Sequence, residues 1–206
     1  MSSPVPDVDH PSATPGTVSP PGWQTVEIVV TATIAVAFGV VFWAWNLMWA
    51  ATGGAFAALP PVQGLLYGVW LVPGVLAGLV VRRPGAAFFA ATVAAVISAL
   101  LGSQWGLVAV VYGVVQGVAP ELVFALRGYR RPGLVTAMLA AAATGLGSLG
   151  LDLVLYYPTW STSWKWLYLA TLVTSAVLVA GVGSWLLRRA LAATGVLAAL
   201  PASRQE

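Results

Sequence analysis

Apolar residues fill six long runs along the chain, at 25–46, 62–81, 86–101, 105–126, 134–157 and 167–187, and polar residues collect in the gaps between them. A helix needs about 20 apolar residues to cross a hydrocarbon core about 30 Å thick. Five runs meet or approach that length. The run at 86–101 is short, and it either extends through Leu100 and Leu101 toward Gly102 or crosses with little tilt. The pattern predicts an all-α integral membrane protein, a six-transmembrane-helix bundle.

The gaps alternate in character. Arg82 and Arg83 occupy one, Arg127, Arg130 and Arg131 another, and Arg188, Arg189 and Arg204 follow the last run. The intervening ends hold Trp43, Trp45, Trp49, Trp105, Trp160, Trp164 and Trp166, with Lys165 as their only cation. Merging 86–101 with 105–126 would break this alternation, which is a second reason to keep six spans. The positive-inside rule puts the arginine gaps in the cytoplasm. With an even number of spans, both termini are expected there too, in a multi-pass protein of a bacterial-type cell membrane. The expected organisation is a disordered cytoplasmic tail over 1–22, a six-helix membrane domain over 23–189 and a cytoplasmic tail over 190–206. Ala190–Leu200 is a candidate interfacial helix ahead of Pro201.

Composition supports this reading and removes others. The chain is 59% hydrophobic and 7% charged, against roughly 25% charged in a soluble domain. So few charges cannot cover a water-facing surface, so lipid is the expected surroundings. The net charge of +3 comes from the loop arginines and follows from orientation, so no nucleic-acid partner is expected. There is no cysteine, and the lone histidine, His10, lies in a Pro-rich tail. Disulfides, thiolate metal sites and cysteine nucleophiles are excluded, and neither a metal centre nor a cofactor is expected.

Small residues recur at four-residue spacing, as in Ala35 and Gly39, Gly64 and Gly68, Gly74 and Gly78, and Gly113 and Gly117. Such faces let helices approach closely in lipid. Most are expected to pack within the bundle, whereas Ala35 and Gly39 form a candidate interface with another subunit. The 47–61 segment, with Gly53-Gly54 and Pro60-Pro61, is either a lid or a plain connector.

Few polar groups fall inside the runs, and an ionisable residue there is expensive unless it is used. Glu27 begins the first helix and is expected to be interfacial and solvated. Asp152 lies toward the tryptophan end of the fifth. Glu121 follows Pro120 on the fourth, and is either a ligand acid or a structural carboxylate bonded to a loop arginine or a freed backbone group. Trp105, Tyr112 and Gln116 are spaced by seven and four, one face of a helix. Tyr67 and Trp70 share a face of the second run, and Trp45 and Trp49 share one near the end of the first, beside Asn46. Tryptophan normally forms belts at both interfaces, yet only Trp23 and Trp185 lie near the arginine side. A pocket for a flat or cationic ring explains that bias through stacking and cation–π contacts.

The segments Phe42-Trp43-Ala44-Trp45-Asn46 and Gln116-Gly117-Val118-Ala119-Pro120-Glu121-Leu122-Val123-Phe124-Ala125-Leu126-Arg127, within six short helices over about 25–187, resemble the substrate-binding S-components of energy-coupling factor (ECF) transporters, and more narrowly their YkoE group. The resemblance implies capture of thiamine or its hydroxymethylpyrimidine precursor from outside. It also implies a membrane T-component and two cytoplasmic ATPase subunits as partners, with inward release when the S-component topples. The chain has no phosphate-binding loop of its own, in keeping with ATP hydrolysis by partners rather than an enzymatic role here. Together these expectations select Trp45, Asn46, Tyr67, Trp70, Trp105, Tyr112, Gln116, Glu121 and Asp152 as substrate-binding residues. An S-component for a different small aromatic vitamin fits the same features. A structural or assembly subunit without a ligand fits the spans alone. A membrane enzyme would have to rest on Asp152 and Glu121, which lie at different depths.

Overall fold

The computed structural model describes residues 22–130 and 133–201. Of the N-terminal tail expected over 1–22, residues 1–21 lie outside them, His10 included, as do Arg131 and Arg204. Among the described residues every regular element is helical. Helix α1 spans Thr25–Thr52, α2 Val72–Val81, α3 Ala86–Leu100, α4 Val108–Leu126, α5 Leu134–Leu155, α6 Thr162–Ser175 and α7 Gly183–Ala193. A 3-10 helix, Pro60–Leu71, runs directly into α2, and a π-helical stretch, Ala176–Val182, joins α6 to α7. Five continuous helices, counting Pro60–Val81 and Thr162–Ala193 as one each, are long and apolar enough to cross a membrane. The apolar helix α3 is shorter, at 15 residues.

The Pro60–Val81 segment is the pillar of the bundle. Its most apolar 18-residue stretch is 83% buried, against 28–44% for the same stretch of the other long helices. Every residue of α2 is buried. A helix apolar on all sides has no face to offer water or headgroups, and the other helices surround it. Gly74 lies against the Gln116 backbone and Gly78 against the Phe124 ring, so α4 approaches the pillar closely. Helix α3 packs between α1 and α4 through buried Ala87, Ala90, Ala91, Ala94 and Ala95. Gly113 meets Ala91 and Ala95 from α4, and Gly117 meets the Phe88 backbone.

Gly39 takes part in the same packing. A Cβ on it would lie 2.6 Å from Ile97, and Ala35 is fully buried. The candidate partner interface at Ala35 and Gly39 is therefore occupied by α3 of the same chain. A stripe of small residues marks close approach but does not say which helix approaches.

At the arginine end the acids are committed to structure. The solvated position expected for Glu27 is not observed. Its side chain is 1% exposed and accepts 2.8 Å hydrogen bonds from Arg83 Nε and from the Gln24 amide, closing a capping box at the start of α1. Glu121 accepts from the amides of Gly85 (2.7 Å), Ala87 (3.0 Å) and Phe88 (3.2 Å) and from the Tyr129 hydroxyl (2.5 Å). The first amides of a helix have no intrahelical acceptor and carry partial positive charge. Glu121, reaching across from α4, supplies acceptor and charge to α3. The Tyr129 phenol, in the α4–α5 loop, is pushed well above the ordinary tyrosine range by burial and then by the Glu121 bond and charge, which keeps it a donor.

Beyond Ala193 the chain does not continue as a helix to Leu200. Gly195, at φ 77°, reverses it into a short 3-10 turn, Val196–Ala199, that buries Leu197 and Leu200.

Candidate functional site: an aromatic cavity around Asp152

A cavity opens toward the tryptophan end between α1, the pillar, α3, α4, α5 and α6. It holds about 590 Å³ of empty space, its open mouth included, which limits an occupant to a small molecule. Seven of the nine expected substrate residues line it: Asn46, Tyr67, Trp70, Trp105, Tyr112, Gln116 and Asp152. Trp45 and Glu121 do not. Trp45 is half-buried and donates its indole N–H to the Leu66 carbonyl (2.9 Å), bracing the pillar. Glu121 lies at the far end, bonded to the start of α3.

Asp152 is 5% exposed. Its Oδ1 accepts from the Tyr112 hydroxyl (2.5 Å) and its Oδ2 from the Tyr168 hydroxyl (2.7 Å). Tyr67 is near enough to interact with the same carboxylate. A buried carboxylate is stable only when bonded or paired. Phenol donors supply bonds but no positive charge, so the net negative charge at the cavity wall stays available to a cation or an amine. One helical turn from Tyr112 on α4, Gln116 donates from Nε2 to Ser148 Oγ (3.3 Å), and among the described residues no donor reaches its Oε1. The deep wall therefore presents acceptors.

Asn46 is a hub. It donates from Nδ2 to Ser98 (3.2 Å) and Ser103 (2.9 Å) and accepts at Oδ1 from the Trp70 indole (3.1 Å). Its amide is thus spent on linking α1, α3, the α3–α4 turn and the pillar, and it orients Trp70.

The rings form two groups. Trp49, Tyr67 and Trp70 cluster with centroids 5.0–6.3 Å apart. On the other side, Trp105 meets Tyr156 at 5.4 Å and Tyr157 meets Tyr168 at 5.4 Å, with Trp160 stacked on Tyr157 at 3.8 Å. The Tyr157 phenol, in the α5–α6 loop, is pushed up to about 12 by burial and then by the charges of Asp152 and Tyr156, so it stays neutral. Trp105 reaches the cavity from the turn before α4, not from the helical face that it was expected to share with Tyr112 and Gln116. Within the 47–61 segment, Trp49 lines the cavity from the end of α1.

Sequence reasoning left Phe42, Trp49, Ser98, Ser103, Tyr156, Tyr157 and Tyr168 out of the site. Phe42, Asn46 and Trp49 follow i, i+4, i+7 spacing, a signal that was present. Nothing in the sequence pairs Tyr168 with Asp152. Their contact depends on the α5–α6 loop returning α6 beside α5.

Residues 26–147, more than half of the chain, match the family described as "ABC-type cobalt transport system, permease component". The chain is 32% identical over 178 residues to the "Putative HMP/thiamine permease protein YkoE" of Bacillus subtilis (strain 168), with 85% of this chain and 87% of that protein covered. It superposes on a solved structure described as "Crystal structure of an S-component of ECF transporter" with a TM-score of 0.84 and 30% identity, over 89% of this chain and 92% of that one. The chain belongs to the ECF-transporter S-components, in the YkoE group. S-components are integral membrane proteins that bind a substrate for uptake, and the cavity is where this bundle offers room for one.

Proposed function

We propose that this S-component captures thiamine or its hydroxymethylpyrimidine moiety from outside a bacterial plasma membrane. A T-component and two ATPase subunits then drive its uptake. The observation that carries the reading is Asp152, ringed by phenols and opening on an aromatic cavity beside the spare acceptor of Gln116. An aminopyrimidine offers an amine and a flat face, and a thiazolium adds positive charge. Rings of tryptophan and tyrosine hold both faces by stacking and cation–π attraction, and the carboxylate and amide oxygens accept from the amine. The name of the Bacillus subtilis relative supports the same ligand class. The cobalt named in the family description has less support from the donors available. The cavity carries one carboxylate and no sulfur or imidazole, and no group of three or more metal-binding side chains occurs among the described residues.

In this reading the arginine end faces the cytoplasm and the cavity mouth faces out. Titration of purified protein with thiamine and with hydroxymethylpyrimidine, followed by tryptophan fluorescence, tests the proposal. Saturable quenching with either ligand is expected. No binding up to high micromolar concentrations of both sinks the substrate claim and favours another small aromatic vitamin.

A further inference from the structure

The pillar departs from α-helical geometry where it lines the cavity. The 3-10 helix Pro60–Leu71 runs for 12 residues, although such helices are uncommon beyond 3–4 residues because their hydrogen bonds are poorer. Something outside the segment must favour it, and α6 supplies it. Ser175, 3% exposed, donates from Oγ to the Leu65 carbonyl (2.6 Å) and accepts from the Gly68 amide (2.9 Å). These two groups are the pair that closes a single i→i+3 turn. In an α-helix the Leu65 carbonyl would turn to the amide of Val69 instead. The hydroxyl therefore braces the 3-10 form specifically. Gly68 permits it: a Cβ there would lie 2.5 Å from the Ser175 carbonyl oxygen. Thr171, one turn earlier on α6, adds a second brace by donating to the Pro61 carbonyl (2.7 Å).

The form matters because of what it lines up. At about 3.0 residues per turn, positions i and i+3 eclipse, whereas in an α-helix they are offset by about 60°. Tyr67 and Trp70 are three apart, both line the cavity, and their centroids are 5.3 Å apart. The segment is also longer in this form, about 24 Å against about 18 Å for 12 α-helical residues.

We propose that Ser175, which the cavity does not include, is a positioning residue for substrate binding, its hydroxyl holding Pro60–Leu71 in the 3-10 form that aligns Tyr67 and Trp70, edge to face, along one line of the cavity wall. The effect on substrate rests on the function proposed above. The effect on Trp70 does not.

The test is fluorine NMR of 5-fluorotryptophan-labelled full-length protein, with the Trp70 and Trp105 resonances assigned by their phenylalanine variants. Ser175→Ala is expected to shift the Trp70 resonance, leave that of Trp105 in place and weaken thiamine binding about tenfold, the scale of losing one or two hydrogen bonds. Ser175→Cys keeps a group that can bond, although sulfur is larger and bonds more weakly, and it is expected to move Trp70 in the same direction by less. An unmoved Trp70 resonance in both variants overturns the proposal. So does a uniform shift of all tryptophans with a lowered melting temperature, which marks a merely structural serine. If Trp70 moves but the unaltered protein binds neither thiamine nor its pyrimidine, the positioning role stands and the substrate assignment fails.

Discussion

At the arginine end Glu121 accepts from three backbone amides and a phenol, and Glu27 from an arginine and a backbone amide. At the tryptophan end Asp152 accepts from two phenols and faces a cavity. All three acids sit in an apolar bundle, where an unbonded charge is costly. The difference lies in their donors. Helix-start amides and a guanidinium neutralise Glu121 and Glu27 from within the protein, which leaves nothing for a ligand to answer. Phenols stabilise Asp152 without cancelling its charge, and the proposed function gives that charge to a cationic or amine-bearing ligand. Burial alone therefore does not distinguish the three acids. Their partners do, and the proposed binding role rests on those of Asp152.

Substitutions at the two ends separate these roles. The largest effect is expected from Asp152→Asn, which keeps the side-chain size and removes the charge. Thiamine affinity should fall about a hundredfold or more, in line with losing a buried charged partner. The melting temperature should change little, read by calorimetry or fluorescence on the same sample. Retained affinity would place the ligand elsewhere. Next comes Glu121→Ala, with the opposite signature. It leaves three amides and a phenol without their acceptor, so a stability loss of about 3 kcal/mol is expected. The protein that remains folded should bind ligand as before. A selective loss of affinity would return Glu121 to the site. The smallest is Gly39→Leu. Overpacking against Ile97 should cost about 1–3 kcal/mol and reduce binding and transport together, because α3 carries the Ser98 contact to Asn46. A variant that binds normally but does not transport would restore Gly39 to a partner interface.

Much of the fold was legible along the chain. Run length located the five helices long enough to cross a membrane and the shorter apolar α3, because membrane burial demands long apolar stretches whatever their neighbours. The boundaries were less legible. The 3-10 start of the pillar depends on Ser175 and Thr171 of α6, far away in sequence, and local pattern carries no trace of it. The extension of α1 to Thr52 and the turn holding Trp105 also shifted the ends of runs. For the cavity wall, residue type was a guide where a polar or aromatic group stood at helical spacing, as for Tyr112 and Gln116. It could not choose between the two readings of Glu121, because three of its partners are backbone amides that any sequence possesses and the fourth, Tyr129, lies in a loop.

The tryptophans show where the two sources of information divide. The sequence by itself determined that they collect at the end opposite the arginines, because hydropathy and charge set which end each side chain reaches. Only the tertiary structure decided their roles. Trp49, Trp70 and Trp105 turn into the cavity, whereas Trp43 (39% exposed) and Trp166 (66%) face outward, as in an interfacial belt. The physical reason is that depth is a property of one helix in a bilayer. Facing is a property of its neighbours, and the chain states those only once α3, the pillar and α6 have packed.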